Sequence, residues 1–327
     1  MTTKNKFPLR QLGQTDIKVS PIGLGVMQFS GGGKGMMSRA FPNIDDEGKQ
    51  EIIQAALDGG MNWFDTAELY GSGRSEAGLS ASLKKAGKAD DEVIVATKWW
   101  PLFRTARNIS KTIDNRLRFL DGYSIDLYYV HQPFGWSSPE DEMEAMADLV
   151  EAGKIRSVGV SNFDADRMRR AHATLAKRGI PLAANQMQYS LIHRNIESDG
   201  VLETAKELGI SIVAYTPLGY GLLTGIYHQN PELLANKVFF QRGRLQRKLE
   251  ASRPLVEALI EIAEKHNVLP GQVALNWLIT FSGNTVVTIP GASKAAHAQQ
   301  SAVAMNFILS AEDCNRIDEL SRPFITQ

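Results

Sequence analysis

The residues of this chain best suited to chemistry are Asp65, Tyr70, Lys98 and His131. A lysine and an aspartate held together away from water form an ion pair, because a buried ammonium needs a counter-charge. A cation beside a phenol favours the phenolate, so Lys98 is expected to lower the Tyr70 pKa from about 10. A tyrosine tuned in this way donates a proton to a carbonyl oxygen as it becomes an alkoxide. His131 supplies an N–H that polarises or orients the same oxygen. Singly, each residue has an ordinary explanation, a structural ion pair or a packed tyrosine; together they make a general-acid site.

The spacing of these residues is what makes them one group. Asp65, Lys98 and His131 each terminate a short apolar run, as do Ser161-Asn162, the run holding Asn185-Gln186, and Tyr215-Thr216-Pro217. Successive run ends lie 25–33 residues apart, one strand-plus-helix unit each. In a (β/α)8 barrel the active site gathers at the carboxyl ends of the strands, so such polar terminators would share one rim.

The elements between them fit that architecture. Apolar runs recur at Val19–Leu24, Met61–Phe64, Val93–Ala96, Ile125–Val130, Ile155–Val160, Ala183–Met187, Ile210–Tyr215 and Thr285–Ile289. Uninterrupted apolar runs are typical of parallel strands buried on both faces. Amphipathic stretches separate them at Asp46–Leu57, Thr112–Leu120, Glu140–Val150, Asp164–Ala176 and Asp199–Leu208, with two more helices at Arg253–His266 and Gly271–Ile279. Residues 8–25 read as a hairpin, turning near Gly13 to Asp16, that leads into the first run. The expectation is an α/β fold, a (β/α)8 TIM barrel with an N-terminal β-hairpin closing its floor, in a single domain over 1–327. A doubly wound open sheet is the rival. Leu218 to Arg253 shows no clean period and reads as a long functional or mobile loop, with a basic cluster at Arg242, Arg244, Arg247 and Lys248.

Several function classes are excluded. Lys plus Arg and Asp plus Glu both number 36, so no net charge draws the chain to nucleic acid or an anionic membrane. No apolar stretch approaches the roughly 20 residues of a membrane span. Met1 to Arg10 lack a signal-peptide core and the single Cys314 fits a reducing compartment, so a cytoplasmic protein is expected. The six histidines show no short ligand spacing, which argues against a metal site. Gly23-Leu24-Gly25 would need a third glycine where Gln28 stands, and Gly71-Ser72-Gly73 before Glu76 fails likewise, so a Rossmann turn is absent. Gly31-Gly32-Gly33 with Lys34 lacks the phosphate-loop spacing.

Three longer matches remain. They are Gly60-Met61-Asn62-Trp63-Phe64-Asp65-Thr66-Ala67-Glu68-Leu69-Tyr70-Gly71 running on to Ser75-Glu76, then Gly153-Lys154-Ile155-Arg156 with Gly159-Val160-Ser161-Asn162-Phe163, and finally Ile289-Pro290-Gly291-Ala292-Ser293-Lys294. In these the chain closely resembles the aldo-keto reductases over nearly its whole length. The resemblance implies a catalytic tetrad of Asp65, Tyr70, Lys98 and His131, and direct hydride transfer from NADPH to an aldehyde or ketone. It implies that Ser161, Asn162 and Gln186 bind the nicotinamide carboxamide while Tyr215 stacks on its ring. Thr216, Pro217, Leu218 and Leu222 would line the pyrophosphate, and Ser293 and Lys294 the adenosine 2′-phosphate. Met27, Asp65 and Gly291 would also touch the cofactor, and Arg242 or Arg244 would fold over the phosphate. The chain departs from common relatives at Ile226, where a lysine is frequent, and in having His297, Gln300 and Ser301 along the adenosine pocket. Trp99, Trp100 and Trp136 on adjoining rim loops are candidate walls for the substrate, a small carbonyl compound; a homo-oligomer is compatible with the sequence. Two rival functions are a cofactor-binding regulatory subunit related to channel beta subunits, with little turnover, and a Schiff-base lyase using Lys98 as the amine.

Overall fold

The computed structural model describes residues 7–32, 43–236 and 239–325, without the side chains of 235–236, 239–242 and 244–245. Strands β1 (Arg10–Gln11) and β2 (Lys18–Val19) form an antiparallel hairpin. Eight further strands follow: β3 (Leu24–Gly25), β4 (Trp63–Asp65), β5 (Ile94–Trp99), β6 (Leu127–Val130), β7 (Ser157–Ser161), β8 (Leu182–Gln188), β9 (Ser211–Tyr215) and β10 (Val286–Thr288). They pair in parallel in sequence order. Parallel bridges join Ile22 to Thr288 and Gly25 to Gly291, and Gly23 N donates to Thr288 O at 2.9 Å. These contacts close the first strand onto the last, and the fold is the (β/α)8 barrel.

The helices are α1 (Asp46–Asp58), α2 (Arg74–Lys85), α3 (Arg107–Leu120), α4 (Pro139–Glu151), α5 (Ala165–Ala176), α6 (Val201–Leu208), α7 (Ile226–Gln229), α8 (Phe239–Ala251), α9 (Arg253–His266), α10 (Pro270–Phe281), α11 (Ala295–Val303) and α12 (Ala311–Ser321). Their starts are chemically marked. Asp45 accepts from Gly48 N before α1, Asp164 from Arg167 N before α5, and Ser138 from Asp141 N before α4, whose first residue is proline. Each such cap satisfies a backbone donor that the helix itself leaves free. Among the described residues no helix is long and apolar enough to cross a membrane.

The structure corrects the sequence reading in three places. The run Val19–Leu24 is not one strand: Val19 belongs to the hairpin, and the barrel strand resumes beyond Pro21, which has no N–H to give a ladder. Leu218 to Arg253 is not a long loop; among its described residues it holds a 3₁₀ turn at Gly219–Thr224, α7, a second 3₁₀ turn at Pro231–Asn236, and α8. Helix α8 is rich in Arg, Lys and Gln around most of its circumference, which erases the apolar stripe that would announce it. Helices α2 and α11 were also hidden, because Ala, Ser and Gly carry much of their length. Gly33 and Lys34, and the side chains of Arg242 and Arg244, lie outside the described residues.

Strand alternation decides which residues reach the site. Side chains two apart share a face, and here Trp63, Ala96, Leu127, Tyr129, Ala184, Val213 and Val287 fill the barrel interior. Continuing each series by one step towards the carboxyl end gives Asp65, Lys98, His131, Gln186 and Tyr215. The neighbouring positions Phe64, Val95, Trp99, Tyr128, Val130, Ile212 and Ala214 pack outward against the helices. The interior is thus apolar below and polar at its last rung.

The hairpin seals the lower end. Leu12, Ile17 and Val19 are fully or almost fully buried in the same interior cluster as Trp63 and Leu127. Arg10 donates to the carbonyls of Val286 and Ile279, Gly13 N to Ser211 Oγ at 2.8 Å, and Arg156 pairs with Asp16 at 2.9 Å. Gly13 has φ +58°, and a methyl there would run into the Ala183 carbonyl. Gly13→Ala should therefore destabilise the protein by about 2–3 kcal/mol, from backbone strain plus a clash that cannot relax. Urea unfolding measures this, and a loss below about 0.5 kcal/mol, ordinary for an uninvolved surface residue, would mean that the hairpin is not docked there.

Candidate active site

Asp65 closes β4, Lys98 lies one residue from the end of β5, and His131 follows β6, its N–H donating to Trp99 O at 3.0 Å. Their neighbouring strands bring Lys98 Nζ into an ion pair with Asp65 Oδ1, with 0% and 2% of the two side chains exposed. The ammonium also donates to Thr66 O at 2.8 Å, and Gln186 Nε2 donates to Asp65 Oδ2 at 2.9 Å. Lys98 Nζ lies 5.2 Å from the centroid of the Tyr70 ring and 5.8 Å from that of Tyr129. Tyr70 meets His131 edge to face, centroids 5.8 Å apart.

Tyr70 comes from a loop rather than a strand, and that loop is tied down. Thr66 N donates to Ala96 O and Glu68 N to Lys98 O, so the chain after β4 runs on along β5. Gly71, Ser72 and Gly73 all have positive φ, a sharp reversal that sends the chain into α2. Ser75 Oγ donates to Val26 O and receives from Thr66 Oγ1, which anchors the far side.

Burial dominates the electrostatics. It pushes the Asp65 carboxyl up and the Lys98 ammonium down, each opposed by attraction to the other. His131 is held well below the usual histidine value by burial and then by the Lys98 charge, so its imidazole is neutral near pH 7. The Tyr70 phenol is raised, first by burial and then by the Asp65 carboxylate. This reverses the expectation of a lowered tyrosine. Lys98 is already neutralised by Asp65, so its attraction for a phenolate does not outweigh desolvation. The arrangement keeps a protonated phenol beside a neutral imidazole, over a buried ion pair.

The other predicted residues form an arc around this group. Ser161 Oγ donates to Gln186 O at 3.0 Å, Asn162 Nδ2 to Ser161 Oγ at 3.0 Å, and Tyr215 Oη to Asn162 Oδ1 at 2.9 Å. Asn162 and Thr216 are non-glycine residues with φ +60° and +54°, directly after β7 and β9 on either side of β8. Pro217 and Leu222 are buried, Leu222 fully within the core, while Leu218 and Met27 are half-buried. On the far side of the rim, Gly291 bridges Gly25, Ser293 Oγ contacts His297 Nδ1 at 3.3 Å, and Lys294 is exposed just before α11. Gln300 is exposed and Ser301 buried on that helix. Lys248 of the basic cluster instead donates to Ile192 O at 2.5 Å. No metal-holding group of His, Cys, Asp or Glu occurs among the described residues.

Of the three tryptophans, Trp99 is core, its Nε1 donating to Asn108, because position 99 faces outward from β5. Trp100 and Trp136 do lie at the rim; Trp100 packs edge-on against His131 at 5.2 Å. Sequence reasoning missed Tyr129, although its place two residues before His131 puts both on the inner face. It missed Glu68 too, whose carboxylate accepts from Trp100 N at 3.1 Å and pairs with Arg104 at 2.8 Å.

The sequence profile of the aldo/keto reductase family matches residues 21–322. An aldo-keto reductase of Strobilurus tenacellus is 33% identical, over 96% of this chain and 92% of its own length. A Schizosaccharomyces pombe aldo-keto reductase named with NADP(+) is 31% identical, over 96% and 91%. The crystal structure of a thermostable aldo-keto reductase in complex with the inhibitor epalrestat superposes with a TM-score of 0.76 at 29% identity, covering 96% of this chain and all of that one.

The depressed His131 pKa has a direct consequence. Across pH 8 to 6 its ring resonances should not titrate in an NMR experiment, since the neutral form persists below the ordinary value near 6.5. An inflection at or above 6.5 would show a charged imidazole and a different hydrogen-bonding role.

Proposed function

The chain belongs to the aldo/keto reductase family, a family of nicotinamide-dependent oxidoreductases, and from that premise we propose that it reduces aldehydes or ketones to alcohols with NADPH, with Tyr70 as the proton donor. The observation that carries this reading is the buried Asp65–Lys98 pair set against the Tyr70 and His131 rings. When bound, the cofactor supplies the hydride that the protein itself has no group to provide.

The rim residues fit such a cofactor. Gln186 has its amide N–H engaged by Asp65, leaving its carbonyl oxygen as an acceptor for a carboxamide. Ser161 and Asn162 add a hydroxyl and an amide beside it, and the half-buried Tyr215 ring offers a flat face. Gly219, Tyr220 and Gly221 all have positive φ, and the Gly219 and Gly221 N–H groups close tight turns onto Thr216 O and Leu218 O, which holds this stretch of chain in place beside Tyr215. Ser293 and exposed Lys294 are the groups suited to a 2′-phosphate, and the S. pombe relative named with NADP(+) supports that choice.

The chain's own residues then manage one proton. The raised phenol of Tyr70 stays protonated through neutral and mildly alkaline pH and gives its proton to the oxygen as negative charge grows there. Neutral His131 donates an N–H to that oxygen and fixes its direction. Lys98 stabilises the tyrosinate left behind, and Asp65 with Gln186 holds the ammonium in place. The raised phenol also sets the sign of the pH dependence: reduction should hold its rate as pH rises towards 10, rather than fall with an ordinary or lowered tyrosine.

Tyr70→Phe removes the proton without disturbing packing. It should lower kcat for aldehyde reduction by about 10²–10⁴ while leaving cofactor affinity nearly unchanged. Stopped-flow or steady-state NADPH absorbance measures the rate, and cofactor fluorescence the affinity. Near-normal turnover in the phenylalanine variant would remove Tyr70 from the mechanism.

A further inference from the structure

Beyond the inner wall formed by Trp100, the rim carries two large aromatic side chains that the fold does not use. Phe103 is 69% exposed and Trp136 is 68% exposed, on the loops that follow β5 and β6. Their rings meet at 5.8 Å, inclined by 62°. Exposed apolar clusters of this kind mark binding surfaces more often than accidents.

The loops that carry the pair are tied together. Trp136 N donates to Arg104 O at 2.9 Å and Ala106 N to Ser137 Oγ at 3.0 Å, which staples the two loops together. Arg104 is fixed by Glu68, and Glu68 also receives Trp100 N, so the staple connects back to the Tyr70 loop. Phe103 has φ +59°, a left-handed backbone that bulky side chains rarely adopt. Strain of this sort persists only where the surroundings impose it.

A line of ring contacts begins at the reacting groups and runs out along the same two loops. Tyr70 packs on His131, His131 on Trp100, and Trp100 on Phe134 at 5.5 Å. Phe134 and Trp136 are two residues apart on one loop, and Trp100 and Phe103 three apart on the other. At about 3.3–3.6 Å of chain per residue, the outer pair is anchored within about 7–11 Å of backbone from the inner one. Arg104 between them is already paired, so these loops hold no free cation at their junction to select a carboxylate or phosphate.

We infer that Phe103 and Trp136 form an outer subsite for the apolar aryl body of an elongated carbonyl substrate, whose carbonyl lies at Tyr70 and His131. The inference rests on the reductase reading above and narrows its substrate class to compounds of two or more aromatic rings. Edge and face contacts of this pair suit a flat ring, and a short or polyhydroxylated aldehyde would not span the distance.

The test compares biphenyl-4-carboxaldehyde with propanal on the full-length protein and on Phe103→Gly, Trp136→Ala and the double variant. Glycine accepts the left-handed backbone, so Phe103→Gly should be at least as stable to urea as the parent. The ratio of kcat/KM for the biphenyl aldehyde over propanal should fall by about 10-fold or more in the double variant, mainly through KM, with Trp136→Phe retaining most of it. Calorimetric binding of biphenyl-4-methanol to the protein with NADP+ should weaken by about the same factor. An unchanged ratio and unchanged affinity in the double variant would overturn the subsite. If no aldehyde is reduced but biphenyl-4-methanol binds and the variants weaken it, the reductase reading fails while the aryl subsite stands.

Discussion

An ammonium and a carboxylate brought out of water together, Lys98 and Asp65, govern how the upper end of this barrel is built. Desolvating two charges is costly, and the pair persists only because neighbouring strands fix their distance and because Thr66 O and Gln186 Nε2 satisfy what each leaves over. Removing one partner from such a pair typically costs about 3–5 kcal/mol. That requirement explains why parallel neighbours β4 and β5 must be in register, with Asp65 beside Ala96 and Lys98 beside Tyr129. It also explains the chemistry. A lysine already paired with Asp65 does not pull Tyr70 down to a phenolate against burial, so the phenol remains an acid, and burial first, with the Lys98 ammonium second, keeps His131 unprotonated.

The two ends of the barrel answer to different demands. Below, the hairpin covers an apolar interior, and Leu12, Ile17 and Val19 complete the packing begun by Trp63 and Leu127. Above, the last inward position of most strands is polar, the loops bend through positive φ at Asn162, Thr216 and Tyr220, and aromatic rings stay exposed. Stability is concentrated where nothing binds, which lets the rim tolerate strain and open surface.

Much of this could be read in the sequence. Parallel strands buried on both faces give apolar runs, and a polar terminator on each run is visible without any structure; Asp65, Lys98, His131 and Gln186 all converge as that pattern implies. What could not be read follows from physics that acts across the chain. The sign of the Tyr70 shift depends on burial and on the Asp65 charge, neither of which is local. Trp99 and Trp100 are adjacent and chemically identical, and only the strand's alternation sends one to the core and the other to the rim. Helix α8 lacks an apolar stripe, and Glu68 gains its meaning from Arg104 and Trp100, more than thirty residues away.

A double-substitution cycle on the ion pair tests the central claim, that Asp65 acts through Lys98 and the two form one unit. The parent, Asp65→Asn, Lys98→Met and the double variant would be compared in kcat/KM for a single aldehyde under NADPH saturation. Acting as a unit, they should give a double variant no more than about threefold slower than Lys98→Met alone, a coupling of roughly 2 kcal/mol or more. Losses that simply multiply would show that the two residues contribute independently, and the buried pair would then be a structural bolt beside the chemistry rather than its support.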